Sequence, residues 1–453
     1  MLRPISEQET AENMRSTYPT GKVSVRMAEA SFPAPFSPGL EFNSPAHGTW
    51  NIVHTGMLVP GAQQIYVCAY NCMRGVVLTA AEMNASDRFS FVILSERDLI
   101  LENLEDVTIE GVTDVIRKLN RRPPAVFLFT VCVHHFAGCD LRRIYRTLET
   151  RFPDIVFVRC YMDPIMQKLS LTPDQKLRKA MYDPLPMTDA DPMSVSLIGS
   201  DLVLDETSDL KRILRHCGRR IRETPSCQTW EEYLQLACGS LILTIWPSAH
   251  YGAGKLAKRL ARPYLYLPSS FGYDEIEREL QQMAKALGEP ETGLDSAAVQ
   301  NDCERALHAA HAVIGDTTIE LDYTFHPRPL GLARLLLAHG FRVETVYLDA
   351  ISREEEEDYH WLRKHAPTLQ LTATNHVRSR VIPRDGGDRV LAIGQKAAWF
   401  AGTRHFVNLV QGGGLWGYDG IRRLATLMTD AFLHEKDTAD LIIRKGWGCE
   451  SCI

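Results

Sequence analysis

Short, wholly apolar runs along this chain alternate with stretches whose apolar residues recur every three or four positions. FSFVIL (89–94) is a β-rich run. In GVTDVIRKL the apolar residues fall at 112, 115, 116 and 119, the spacing of one helix face, and Pro123 and Pro124 end the segment. AVFLFTVCV (125–133) predicts a buried strand, DLRRIYRTLETRF (140–152) an amphipathic helix, and DIVFVRCY (154–161) a further strand. A second block repeats the rhythm. SVSLIGSDL (194–202), SLILTIWP (240–247) and PYLYLP (263–268) read as strands. LKRILRHCG (210–218), GAGKLAKRLA (252–261) and YDEIERELQQMAKALG (273–288) read as helices, the first and last closed by Gly218 and Gly288. The third block opens at AHAVIGD (310–316). It continues with helix 330–340, strand 341–349, a polar helix 354–364, strand 388–394 and a closing helix near 421–433.

Strand–helix alternation at this spacing predicts βαβ units with parallel sheets. The expected fold class is α/β, with three doubly wound Rossmann-like domains. The expected division is an N-terminal arm (1–40), a first α/β domain (41–190), a middle α/β domain (191–308), a third (309–435) and a tail (436–453). The Pro- and Gly-rich APFSPGLEFNSPAHG reads as extended loop, with organised structure expected from near Trp50. In doubly wound sheets ligands bind beyond the carboxyl ends of the strands.

The composition is that of a globular protein, 45% hydrophobic and 23% charged. A net charge of -6 supplies no field for nucleic acid, and the short cluster Arg219, Arg220, Arg222 reads as solvated helix surface. No apolar run reaches the ~18 residues of a membrane span. The polar N-terminus lacks a secretory core, so a cytoplasmic location is expected.

Disulfides are not expected in a reducing compartment, so the 11 cysteines need another role. Cys217, Cys238 and Cys303 lie in helical-looking segments and read as packed side chains. Cys68 and Cys72 form a C-x3-C in IYVCAYNCMRG, Cys132 ends a buried strand, and Cys139 follows one turn later. Thiolates at strand ends and loop mouths can converge outside a sheet. Four of them suit an iron–sulfur cluster, and soft sulfur also suits zinc. C-x3-C is neither a zinc-ribbon nor a ferredoxin spacing, so ordinary buried cysteines stay an open reading. His134 and His135, adjacent on the expected strand end, point apart, and one at most would face such a site.

MLVPGAQQIYVCAYNCMRG and VFLFTVC…GCDL resemble the two cluster-binding motifs of the nitrogenase component 1 family, with Cys72 and Cys132 at ligand positions. TWEEYLQLACGSLILTIWPSAHYGAGKLAKRLARPYLYLP is similar to that family's middle domain. FHPRPLGLARLLLAHGFRVETVYLD is similar to the start of its last, and GGGLWGYDGIRRLA to its Gly-rich loop. The motifs run in the family's order over about residues 40–435. The resemblance implies an iron–sulfur electron-transfer subunit. Such a subunit pairs with a homologous subunit, as homo- or heterodimer or tetramer, with the cluster near the interface. An ATP-dependent reductase like the nitrogenase iron protein supplies its electrons.

Two departures qualify the resemblance. The family's first cluster cysteine is missing from SPAHGTW; Cys68 and Cys139 are the candidate replacements, giving a [4Fe–4S] site of Cys68, Cys72, Cys132 and Cys139, with His47 a weaker candidate. Ile245 and Val410 stand about where the nitrogen-reducing cofactor's ligands belong, so nitrogen fixation by this chain is not expected. HYGAGKL lacks the first Gly and the Ser/Thr of a phosphate loop. Trp246, His250, Tyr251, Arg328 and Trp416 fall at expected loop mouths and are candidate pocket residues; Asp163, His250 and Asp316 are candidate proton donors. The C-terminal C-x-x-C of Cys449 and Cys452 has a redox or metal spacing. Three functions stand at this point: an oxidoreductase subunit, a non-catalytic scaffold for cluster assembly, and a plain α/β binding protein with zinc or no metal.

Overall fold

The computed structural model describes residues 23–37, 51–101, 103–163, 171–289, 291–384 and 390–437. His47, Cys449 and Cys452 lie outside them. The chain forms two compact units. One is built from 43–300 and 413–420; the other from 301–412, 421–437 and the N-terminal segment. The strands, in chain order, begin with β1 (Ser24–Arg26), which belongs to the last sheet described.

The first sheet comprises β2 (Gln63–Ala69), β3 (Phe89–Leu94), β4 (Ala125–Val131) and β5 (Val156–Met162), all parallel, in the order β3-β2-β4-β5. Every residue of β4 is buried, because a parallel sheet is covered on both faces. Alternation sorts its side chains. Tyr66, Cys68, Phe127 and Phe129 enter one core, where Tyr66 and Phe129 stack at 4.2 Å. Ile65, Val67, Val126 and Leu128 enter the other. There they meet Val112 and Ile116 of the helix Leu104–Lys118, and Ile144 and Leu148 of the helix Leu141–Arg151. Asn103 and Asp140 cap these helices, accepting from the backbone N–H groups of Asp106 (3.0 Å) and Arg143 (3.1 Å).

The same unit holds a second parallel sheet, β6 (Asp191–Leu197), β7 (Arg220–Glu223), β8 (Gly239–Thr244) and β9 (Tyr264–Tyr266), in the order β7-β6-β8-β9. Arg178, fully buried on the helix Pro173–Met181, joins the two sheets. It donates to Asp174 (3.0 Å), to Asp201 (2.6 Å) and to the Gly199 carbonyl (2.7 Å) beyond β6. Gly252 and Gly254, which suggested a phosphate loop, lie inside the helix His250–Leu260. A Cβ on Gly252 would stand 2.9 Å from the Cα of Lys179, so this glycine permits close helix packing.

The other unit holds β10 (Thr318–Asp322), β11 (Arg342–Tyr347), β12 (Gln370–Thr372), β13 (Val390–Ile393) and β14 (Phe406–Val407), in the order β1-β12-β11-β10-β13-β14. Only β1 runs antiparallel. Organised structure therefore precedes Trp50: β1 covers an open sheet edge, and Tyr359 donates to the Ala30 carbonyl at 2.7 Å. A strand of three residues is too short to show a period in sequence. AHAVIGD does not open the block as expected; its first residues end the helix Ser296–Ile314, and β10 follows.

In each sheet the strand order reverses once: between β2 and β4, between β6 and β8, and between β10 and β13. Crevices at such switch points are where this class of sheet binds ligands.

Candidate functional site

Cys72 and Cys132 sit at the switch point of the first sheet. The β2–β4 pairing ends at Tyr66–Phe129, and in step with it Ala69 falls opposite Cys132. Beyond Ala69 the chain makes one 3-10 turn, Tyr70–Cys72, and enters the helix Arg74–Glu82. On the other side Val131 pairs with Met162, so Cys132 and Asp163 are the first residues beyond the ends of two neighbouring strands. The expected strand 125–133 stops at Val131, and Cys132 opens a helical turn that ends at Phe136. Cys72 is exposed and Cys132 half-buried.

Burial pushes the Cys132 thiol up, and the nearby Cys72 and Asp163 push it further; the backbone N–H groups of Val133 and Cys132 oppose them. Cys72 also acts on Cys68, whose thiol is pushed up to about 12, first by burial. Cys68 is fully buried on β2 among the residues around Tyr66 and Phe129. Cys139 packs with Val107 and Leu141 against the core on the opposite face of the sheet. Burial, then Glu105, pushes its thiol up to about 11. The structure thus brings Cys72 together with Cys132 at the sheet edge. It places Cys68 in the core beneath and Cys139 on the other side.

His134 lies on the helical turn rather than a strand end. Its Nδ1 accepts from Val131 N–H (3.3 Å) and its Nε2 meets Thr108 Oγ1 (3.2 Å), which makes it a buried packing residue. Among the described residues, no three His, Cys, Asp or Glu side chains group as a metal site. An exposed thiol beside a half-buried one fits part of an iron–sulfur ligand set.

The other candidates are spread out. His250, exposed after β8, meets the Tyr264 hydroxyl at 2.8 Å and packs on the Tyr266 ring at 4.2 Å. Trp246 and Trp416 are buried. Lys255 lies over the half-exposed Tyr251 ring at 5.4 Å. Arg328 is buried and donates to Asp358 at 3.0 Å, which makes it part of an ion pair inside its own unit. Asp316 is exposed and precedes β10, at the opposite end of that strand from the switch point. Ile245 is buried and apolar and offers no ligand atom.

Sequence reasoning missed three exposed apolar side chains that follow strands of the first sheet. Tyr70 is 72% exposed, Ile100 77% and Phe136 74%, following β2, β3 and β4 respectively. It also missed Lys176, whose charge interacts with Asp163. Nothing in the helical pattern of PDQKLRKAM separates that lysine from a surface one. Among the described residues no helix is long and apolar enough to cross a membrane.

The sequence profile of the nitrogenase component 1 type oxidoreductases matches residues 71–433. Two solved structures share the fold. "Nitrogenase Cp1 at pH 6.5" superposes with a TM-score of 0.64 at 13% identity, covering 89% of this chain and 93% of that one. "Nitrogenase Cp1 at pH 5" gives 0.57 at 14% identity, covering 91% and 92%. No curated protein matches in sequence.

Proposed function

Since the chain belongs to the nitrogenase component 1 type oxidoreductases, we propose that it is an electron-accepting subunit whose Cys72 and Cys132 hold part of an iron–sulfur cluster. The supporting observation is the position of these two thiols at the reversal of strand order in the first sheet. A bound cluster supplies one-electron storage at that edge. The chain's own groups do the rest. Cys72 and Cys132 lose their protons on ligation, and the backbone N–H of Val133 favours the Cys132 thiolate. Two thiols are too few for a [4Fe–4S] core, so a homologous subunit, identical or not, contributes the others across the exposed Tyr70, Ile100 and Phe136. An ATP-dependent iron–sulfur reductase of the cytoplasm delivers the electrons, which pass to a substrate still to be identified. The nitrogen-reducing cofactor has no place in this reading, because by the resemblance Ile245 and Val410 stand about where its ligands belong, and the buried Ile245 offers no ligand atom.

Iron and sulfide analysis of anaerobically purified variants tests the proposal. Cys72→Ser and Cys132→Ser are each expected to lose most of the iron, whereas Cys139→Ser keeps it. Full iron retention in both of the first two variants contradicts the proposal.

A further inference from the structure

Asp163 acts on Cys132, Lys176 interacts with Asp163, and neither is explained by ligation. Asp163 is 2% exposed and is the first residue beyond β5, as Cys132 is the first beyond β4, and the paired strand ends Val131 and Met162 bring the two to the same sheet edge. Its charge acts on the Cys132 sulfur. Lys176 is half-buried on the helix Pro173–Met181, which packs on β5. A capping box fixes the start of that helix: Thr172 N–H donates to Gln175 Oε1 (2.9 Å), and Gln175 N–H to Thr172 Oγ1 (3.3 Å). The capping box anchors the helix that carries Lys176, and the charges of Lys176 and Asp163 interact.

We propose that Asp163 and Lys176 are a pair of positioning charges that set the reduction potential of a cluster bound through Cys132. The inference rests on the reading of Cys72 and Cys132 given above. Adding an electron to a cluster adds negative charge. A carboxylate in a poorly solvated site next to a ligand sulfur opposes that addition and lowers the potential. An ammonium behind the carboxylate offsets part of its field and raises the potential. The two residues thus act with opposite signs on one quantity, which a purely structural pair does not do.

The test uses full-length protein isolated anaerobically, with its co-purifying subunit, and a mediated redox titration followed by EPR. Asp163→Asn is expected to keep its iron and to titrate at a more positive potential than the unmodified protein. Lys176→Met is expected to keep its iron and titrate at a more negative one, and the double variant to fall between them. Equal potentials in iron-loaded protein, or shifts of the same sign, overturn this inference and leave the cluster reading standing. An unmodified protein that takes up no iron overturns both. Should Asp163→Asn fail to accumulate, the sign of the Lys176→Met shift decides.

Discussion

At the scale of single residues, burial sets the charge state of two neighbouring groups in opposite directions. His326 accepts from the Arg328 N–H at 3.1 Å, and burial, reinforced by the Arg328 charge, pushes its imidazole down to about 3. A depressed folded value means that stability is fully present above the ordinary 6.5 and is lost as pH falls toward 3. Glu355 accepts from Leu330 N–H at 2.7 Å, and burial pushes it up to about 7 from 4.5. Its contribution is present below 4.5 and lost as pH rises through 7. Urea midpoints between pH 4 and 8 are expected to show His326→Gln losing less stability on the acid side and Glu355→Gln less on the alkaline side. Unchanged slopes contradict these assignments. Cys68, protonated in its core, is a packing residue; Cys68→Ala is expected to keep its iron and to cost about 1 kcal/mol in denaturant unfolding.

Elements are joined by close approaches and by buried cations such as Arg178. Gly199, at the turn after β6, has φ +95°, and a Cβ there would stand 2.1 Å from the Cβ of Ala249. Gly138 has φ +65° but open space around its Cβ position. Gly138→Ala therefore costs only the left-handed backbone strain, about 1–2 kcal/mol, whereas Gly199→Ala is expected to cost more than ~3 kcal/mol. Thermal unfolding of the pair compares them; equal losses contradict the packing described at Gly199. Arg178→Met leaves Asp174 and Asp201 buried without their cation, a loss of about 3–5 kcal/mol that the same measurement reads.

Legibility in sequence followed the same physics. The β4 run and the helices closed by Gly218 and Gly288 were readable, because uniform burial and left-handed helix ends leave a clear pattern. β2 was not among the expected strands, since it opens with Gln63 and Gln64. The buried Gln64 is satisfied only in the fold, by the Val53 carbonyl (3.1 Å) and the Tyr66 hydroxyl (2.8 Å). β10 carries Glu320 and Asp322 in five residues and hid for the same reason. At the site, Cys132 was legible as a strand-end thiol, and Cys72 as part of the C-x3-C pair. The separation of Cys139 was not, because it depends on which face of the sheet the turn after Phe136 enters.

For the whole molecule, the chain belongs to the nitrogenase component 1 type oxidoreductases, and Tyr70, Ile100 and Phe136 are exposed apolar side chains that the proposed pairing with a second chain would cover. Native mass spectrometry of the anaerobically isolated complex tests the central claim most directly. The account predicts an assembly of two homologous chains carrying the extra mass of iron and sulfide, and loss of that mass in the Cys72→Ser, Cys132→Ser double variant. A single chain with no inorganic mass, or with one zinc ion, would contradict it.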